Sequence, residues 1–241
     1  MEIVPLGDSA LIVRVRDRFD DVPEETLAKI LHTFRRLQDA AIPGVIDLAL
    51  AYTTVAVFFD PSAVANRSRT PGKSFDWFAE QVHGVVAAGA DRGRRRRSAN
   101  TDVRLVEIPV CYDPEFAPDL DHVANYAQIS PREVVDLHSA AEYRVSCIGF
   151  VPGFPFLTGL PKKLATPRRA TPRKEIPAGS VGIGGGQTGI YPLRSPGGWN
   201  LIGRTPLKLF DPEKNPPTLL QAGDRVKFRA ITREEFDSLK Q

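Results

Sequence analysis

The chain has 241 residues, of which 42% are hydrophobic and 25% charged, and its formal net charge is +3. This composition is ordinary for a soluble globular protein and excludes collagen and wholesale disorder. No apolar run approaches the roughly 20 residues that span a bilayer, and Met1–Val4 does not begin a signal peptide. Cys111 and Cys147 are too few for a disulfide scaffold. We therefore expect a cytoplasmic protein that does not interact with membranes.

Charge divides the chain near residues 92–100. Acidic side chains outnumber basic ones by 13 to 9 in residues 1–91, whereas basic ones lead by 23 to 16 in the remainder. The run Arg92–Arg97 resists burial because its like charges repel one another. We predict a first domain over 1–91, an Arg-rich linker over 92–100 and a second domain over 101–241. No aromatic residue interrupts the run, which argues against a nucleic-acid interface.

The first domain is predicted to be an α+β unit with a sandwich-like arrangement. Strands are expected at 10–15, 45–50 and 54–59. A helix should begin around Asp21 and Pro23, where an acidic cap precedes an early proline. Ser74 should cap a second helix. The order of elements favours two helices on one face of a small sheet.

The second domain is predicted to be mainly β. Strands are expected at 103–110, 143–150, 201–210 and 225–231. Helices are expected at 119–128, at 131–140 behind a Ser130–Glu133 capping box, and after Thr232. Twelve of the 19 glycines lie between Gly149 and Gly203, which favours short strands and tight loops. These features indicate an antiparallel barrel or sandwich with few helices.

Several short motifs do not carry the function they imitate. Gly184–Gly189 matches G-x-G-x-x-G, but Pro192 prevents the helix that a dinucleotide site requires. Residues 119–140 imitate a helix-turn-helix, yet the second helix carries two acids and one arginine, so we predict no nucleic-acid partner. The histidines and cysteines lack zinc spacing, and we predict no metal site.

Basic residues and glycines point instead to a site for a small anion. Proline-punctuated residues 161–177 contain six basic side chains, and a glycine-rich stretch, 179–189, follows. Arginine donates two parallel hydrogen bonds to a carboxylate or phosphate, and consecutive glycine amides can form an anion-binding nest. The alternative is a set of turns with solvated basic tips.

Five sequence blocks resemble the KipI/PxpB family, whose members are also described as allophanate hydrolase subunit 1 or as the PxpB subunit of 5-oxoprolinase. The blocks are Gly149–Leu157, Ile176–Gly182, Gln187–Pro192, Ser195–Gly203 and Asn215–Asp224. The opening Pro5–Leu11 agrees as well, so the resemblance covers essentially the whole chain. It implies an N-terminal α/β domain followed by a cyclophilin-like β-barrel.

The resemblance also implies an activity with partners. The chain would be the PxpB subunit of an ATP-dependent 5-oxoprolinase, inactive alone, that opens 5-oxo-L-proline to L-glutamate with PxpA-like and PxpC/KipA-like subunits. ATP, with Mg, would be a substrate of the complex, and no tightly bound cofactor is expected. Two alternatives remain: a regulator that inhibits a sensor histidine kinase, or a subunit acting on allophanate or a urea-type amide.

Roles for single residues follow from combining the anion site with this chemistry. We expect Arg168 and Arg173 to clamp the anion, and Tyr191 to act as a wall or hydroxyl donor. The amides of Gly184, Gly185 and Gly186, with Gln187, would orient the ligand. His138 is the candidate for proton transfer because its ordinary pKa lies near neutrality; the alternative is a core or capping histidine.

Overall fold

The computed structural model describes residues 2–15, 23–68, 72–88 and 103–240. The chain divides into two compact units, Met1–Asp102 and Val103–Gln241. The predicted Arg-rich linker, 92–100, lies outside the described residues, as does Asp21. Within the described ranges, no helix is both long and apolar enough to cross a membrane.

The first unit is a four-stranded antiparallel sheet with helices, in the strand order β1-β2-β4-β3. Its elements are β1 Glu2–Pro5, β2 Ala10–Arg14, α1 Pro23–Ala40, β3 Val45–Ala51, β4 Thr54–Phe59, α2 Pro61–Ser68 and α3 Ser74–Ala87. Leu11, Val57 and Phe78 are buried together in its core. The apolar positions repeat with the periods of strands and helices, so each element buries one face.

The second unit contains a closed barrel in the described residues, with the strand order β10-β7-β6-β13-β5-β12-β9. Its elements up to the barrel's midpoint are β5 Leu105–Cys111, α4 Leu120–Ala127, α5 Pro131–Ala140, β6 Glu142–Ile148 and β7 Pro155–Thr158. A 3₁₀ turn, Lys162–Leu164, precedes β8 Arg173–Ile176, β9 Ser180–Gly184, β10 Gln187–Ile190, β11 Ser195–Gly197, β12 Asn200–Arg204, β13 Arg225–Ile231 and α6 Arg233–Leu239. Strands β8 and β11 form a separate two-stranded sheet.

Pairing within the barrel is antiparallel except between β5 and β13, which run parallel over seven residue pairs. Val110, Val145, Ile183 and Phe228 belong to the buried cluster of this unit. The capping box at Ser130 and Glu133 is formed, with Pro131 as the first helical residue of α5. The mainly β prediction for this part of the chain is therefore confirmed at the level of a barrel.

One predicted strand is wrong in its extent. A strand was expected over 201–210, but β12 ends at Arg204. Thr205 still donates its backbone N–H to the carbonyl of Gly179 at 2.9 Å. Pro206 follows and has no N–H to continue a ladder, so the chain leaves the barrel there.

Candidate functional site

Aromatic side chains surround a cavity of about 100 Å³ in the second unit, and we call it the aromatic cavity. It is lined by Phe150, Phe154, Phe156, Arg168, Tyr191, Gly197, Gly198 and Trp199. The β6–β7 loop, β7, β11 and the segments that flank β8 and β11 contribute these residues. The lining contains one cation and no carboxylate, histidine or cysteine.

Phe154 holds the aromatic rings of the cavity together. Its ring centroid lies 4.9 Å from that of Phe156, 5.1 Å from Tyr191 and 5.4 Å from Trp199. The contacts with Tyr191 and Trp199 are edge-to-face, at interplanar angles of 79° and 85°. Edge-to-face pairs are a favoured arrangement of aromatic rings. The cavity therefore has rigid, apolar walls.

Glycines provide the space that these rings occupy. A Cβ atom on Gly184 would lie 2.6 Å from the indole of Trp199, and one on Gly197 would lie 2.7 Å from Cδ1 of Ile176 and closer still to the Tyr191 hydroxyl. Contacts this short require the ring or the backbone to move. The glycine-rich composition of this region thus has a packing cause.

Arg168 supplies the positive charge at the mouth of the aromatic cavity. Its guanidinium carbon lies 5.7 Å from the centroid of the Trp199 ring, within the range of a cation–π contact. The side chain is exposed. Within the described part of the chain, no carboxylate lies within ion-pair distance of it.

The neighbouring arginines are instead neutralised by Asp119, at the start of α4. Oδ1 of Asp119 accepts hydrogen bonds from Arg169 Nη1 and Arg173 Nη2, both at 2.8 Å, and its side chain is only 4% exposed. Oδ2 accepts the backbone N–H of Leu201 at 2.7 Å. Because the carboxylate is engaged in this way, it makes no side-chain cap on α4.

Arg173 and Tyr191 keep part of their hydrogen-bonding capacity beside the cavity. Nη1 of Arg173 is buried and has no hydrogen-bond partner among the described residues. Burial raises the pKa of Tyr191, and a hydrogen bond from the Trp199 backbone and the charges of Arg168 and Arg173 oppose that rise. Both guanidinium groups therefore act on the Tyr191 hydroxyl, which brings three of the predicted site residues together.

Arg168 also borders a second cavity, of about 490 Å³, on its other side. That cavity is lined by His122, Tyr126 and the segment from Pro167 to Thr171. A larger cavity of about 790 Å³ lies between α1 and α3 of the first unit. Its arginine, Arg36, donates to the carbonyls of Val85 and Val86, so that cation is engaged in helix packing.

The predicted nest of glycine amides has another role in the structure. Gly185 and Gly186 form the turn between β9 and β10, and Gln187 pairs with Gly184 across it. The N–H of Gly185 donates to the Thr166 carbonyl at 2.8 Å. These amides shape a hairpin, and none of the four residues lines the aromatic cavity.

His138 lies inside the second unit, with a relative exposure of 0%. The Thr188 hydroxyl donates to the Gly182 carbonyl at 3.0 Å, so it accepts from Nε2 of His138 at 3.1 Å. Nδ1 then accepts from the Tyr112 hydroxyl at 2.8 Å. Burial lowers the pKa of His138 to about 3. These are the contacts of a neutral core histidine, and we leave His138 out of the proposed site.

Sequence reasoning missed most of the aromatic walls and the role of Asp119. Phe150, Phe154 and Trp199 lie within the blocks that carry the family resemblance, but no role was predicted for them. The available signal was the recurrence of aromatic residues beside glycines in two separate blocks. The convergence of those blocks depends on the barrel.

A family model described as "Carboxyltransferase domain, subdomain C and D" matches residues 1–220. The chain belongs to this family. Relatives from two bacteria resemble it over nearly all of their length. The PxpB subunit of the Bacillus subtilis 5-oxoprolinase is 43% identical over 100% of this chain and 97% of its own. That of Haemophilus influenzae is 59% identical over 95% and 97%. The predicted resemblance to the KipI/PxpB family is thereby confirmed.

Solved structures share the fold of this carboxyltransferase-subdomain member. The crystal structure of TTHA0988 has a TM-score of 0.72 and 35% identity over 92% of this chain, which spans about two fifths (39%) of that one. PH0987 from Pyrococcus horikoshii matches at 36% identity over 98% and 100% of the two chains, with a TM-score of 0.54. The K. lactis urea amidolyase, at 19% identity and a TM-score of 0.72, shares the fold over 15% of its length.

Proposed function

We propose that this chain is the PxpB subunit of an ATP-dependent 5-oxoprolinase and that it holds 5-oxo-L-proline for ring opening to L-glutamate. One observation carries the proposal: an arginine without a carboxylate partner in the described structure, Arg168, lies at the mouth of a small aromatic cavity. A ligand for such a cavity is a small anion with an apolar body. The names of the two relatives support the same function.

The substrate matches the site in charge and shape. 5-Oxo-L-proline has one carboxylate, which would accept two hydrogen bonds from the Arg168 guanidinium. Its methylene groups would pack on the rings of Phe154 and Trp199. Arg173, through Nη1, and the Tyr191 hydroxyl are the further donors that we assign to the ligand. The charges of Arg169 and Arg173 are shared with Asp119, which leaves Arg168 as the main anchor.

ATP activates a poor electrophile in this reaction. The lactam oxygen attacks the γ-phosphorus of ATP, and ADP leaves. Water then adds to the ring carbon, the carbon–nitrogen bond breaks to give an acyl phosphate, and a second water releases phosphate and L-glutamate. Positioning and cations near the developing charge are the main contributions of a protein to such a step. This chain contributes binding and orientation in the proposal.

The lining of the aromatic cavity supports a subunit that is inactive alone. It offers no carboxylate, histidine or cysteine to transfer a proton or attack a carbonyl. We therefore assign those groups to PxpA-like and PxpC/KipA-like subunits in a cytoplasmic hetero-oligomer. Mg would arrive on the phosphates of ATP. We also propose that the barrel is cyclophilin-like and that residues 92–100 link the domains at 1–91 and 101–241.

The test is reconstitution. The purified chain is mixed with the remaining subunits of the Haemophilus influenzae 5-oxoprolinase, and ADP release is followed with and without 5-oxo-L-proline. We expect ADP and L-glutamate to form in equal amounts only in the full mixture. Allophanate and urea replace 5-oxo-L-proline in parallel reactions. Turnover of those amides alone, or no turnover in any mixture, refutes the proposal.

A further inference from the structure

Phe150 has a backbone conformation that is unusual for a bulky residue. It follows β6, and its φ angle is +70°. Side chains other than glycine rarely adopt this left-handed region, because Cβ crowds the backbone there. Residues held in such conformations cluster at functional sites, where the surrounding structure enforces them.

The loop around Phe150 fixes this conformation. Gly149 donates its N–H to the Phe154 carbonyl at 3.1 Å, and Phe154 donates back to the Val151 carbonyl at 3.1 Å. Gly153 has a φ of +83°, and a Cβ there would lie 2.9 Å from Cβ of Phe210. The loop is thus closed by hydrogen bonds and packed tightly at its far end, so Phe150 cannot relax independently.

The ring of Phe150 is directed at the aromatic cavity and yet remains open to solvent. It lines the cavity and meets Phe154 and Tyr191 edge-on, at centroid distances of 5.6 and 6.5 Å. Its relative exposure is 61%, whereas Phe154 and Tyr191 are each 2% exposed. Core packing does not explain a strained apolar side chain with so much exposed surface.

We propose that Phe150 is a ligand-binding residue that closes the aromatic cavity over the ring of a small cyclic carboxylate. The carboxylate binds Arg168 at the mouth, and the apolar ring of the ligand covers Phe150. The inference rests on the proposed function and adds a selectivity for cyclic over open-chain anions. An open-chain anion satisfies Arg168 but leaves the exposed ring uncovered.

Binding to the full-length chain is measured through the fluorescence of Trp199. The other tryptophan of the chain, Trp77, lies in the first unit and is removed as Trp77→Phe. The probes are 5-oxo-L-proline, cyclopentanecarboxylate and acetate. In this background, Phe150→Ala should weaken binding of both cyclic acids by about tenfold, the effect of losing one aromatic contact, and leave acetate binding unchanged.

Phe58→Ala is the matched control, because Phe58 is also an exposed phenylalanine but lies on β4 of the first unit. It should bind all three probes like the parent. Phe150→Gly accepts the positive φ without strain, so it should be at least as stable to heat as Phe150→Ala and bind as weakly. If either Phe150 variant keeps the affinity for cyclic acids, or loses acetate equally, the inference is overturned.

The two proposals fail in different ways. If the parent binds cyclopentanecarboxylate and the reconstituted complex does not turn over 5-oxo-L-proline, the proposed function is wrong and the cyclic-acid site stands. If the complex turns over 5-oxo-L-proline with an unchanged KM after Phe150→Ala, the role of Phe150 is wrong and the function stands.

Discussion

Arg168 lies over the indole ring of Trp199, with its guanidinium carbon 5.7 Å from the ring centroid. Asp119 binds the two nearby arginines, Arg169 and Arg173, at 2.8 Å each. The charge pattern therefore separates arginines that stabilise the fold from one that is available to a ligand. The aromatic surface under Arg168 orients the guanidinium without neutralising it.

Arg168→Ala should raise the KM for 5-oxo-L-proline in the reconstituted complex by about tenfold or more, because a charged hydrogen bond of about 1.5–3 kcal/mol is lost. If the contact is equally strong in the ground and transition states, kcat should change little. Steady-state ADP release measures both. Arg194→Ala, which removes an exposed arginine paired with Glu175, is the control. Equal kinetics for the two variants would refute the role of Arg168.

Asp119→Asn should lower the free energy of unfolding by about 2–3 kcal/mol, because removing one partner leaves buried charged donors without compensation. Urea unfolding measures the loss. Asp136→Asn serves as the control, since Asp136 pairs with Arg132 on the exposed face of α5. It should cost less than about 0.5 kcal/mol. Similar losses for both variants would contradict a central role for Asp119.

Gly197→Ala should abolish binding in the aromatic cavity, because the new methyl group would collide with the Tyr191 hydroxyl and with Ile176. Titration with 5-oxo-L-proline, followed by Trp199 fluorescence, measures the effect. Gly186→Ala is the control, since a Cβ there meets nothing within 4 Å. If Gly186→Ala weakens binding as much, the glycine turn has the ligand-binding role first predicted for it.

His138 should make the fold sensitive to acid. Its pKa is about 3 in the folded protein and near 6.5 in the unfolded chain. Between those values the unfolded chain binds a proton that the native state excludes, so stability falls as the pH drops from about 6.5 towards 3. The slope is at most about 1.4 kcal/mol per pH unit from this one group.

His138→Gln removes that titration, and comparison with the parent isolates it from the carboxylates. The free energy of unfolding is measured in urea at pH 7, 6, 5 and 4. The parent should lose stability more steeply than His138→Gln below pH 6.5. Parallel curves would show that His138 can be protonated in the native state, which would restore it as a candidate for proton transfer.

Local signals in the sequence were sufficient for most individual elements. Pro23 begins α1, and the Ser130–Glu133 capping box begins α5, because these residues satisfy or avoid the free N–H groups of a first helical turn. The predicted strand at 201–210 was too long, since apolar residues after Arg204 continue the pattern of a strand although they leave the barrel.

Composition and motifs identified the family and directed attention to Arg168, Arg173 and Tyr191. They did not distinguish the arginines from one another. Asp119 is 50 and 54 residues from the two arginines that it binds, and ion pairs over such separations leave no periodic trace in a single sequence. The same limit hid the burial of His138, whose partner Thr188 lies 50 residues away.

The sequence by itself determined where the helices begin, that a glycine-rich β region follows them, and which family the chain resembles. Each of these depends on residues that are near one another along the chain. Only the tertiary structure decided which arginine stays unpaired, which rings form the cavity and which histidine is buried. Those properties arise when the barrel closes and brings distant segments into contact, so they depend on three-dimensional packing.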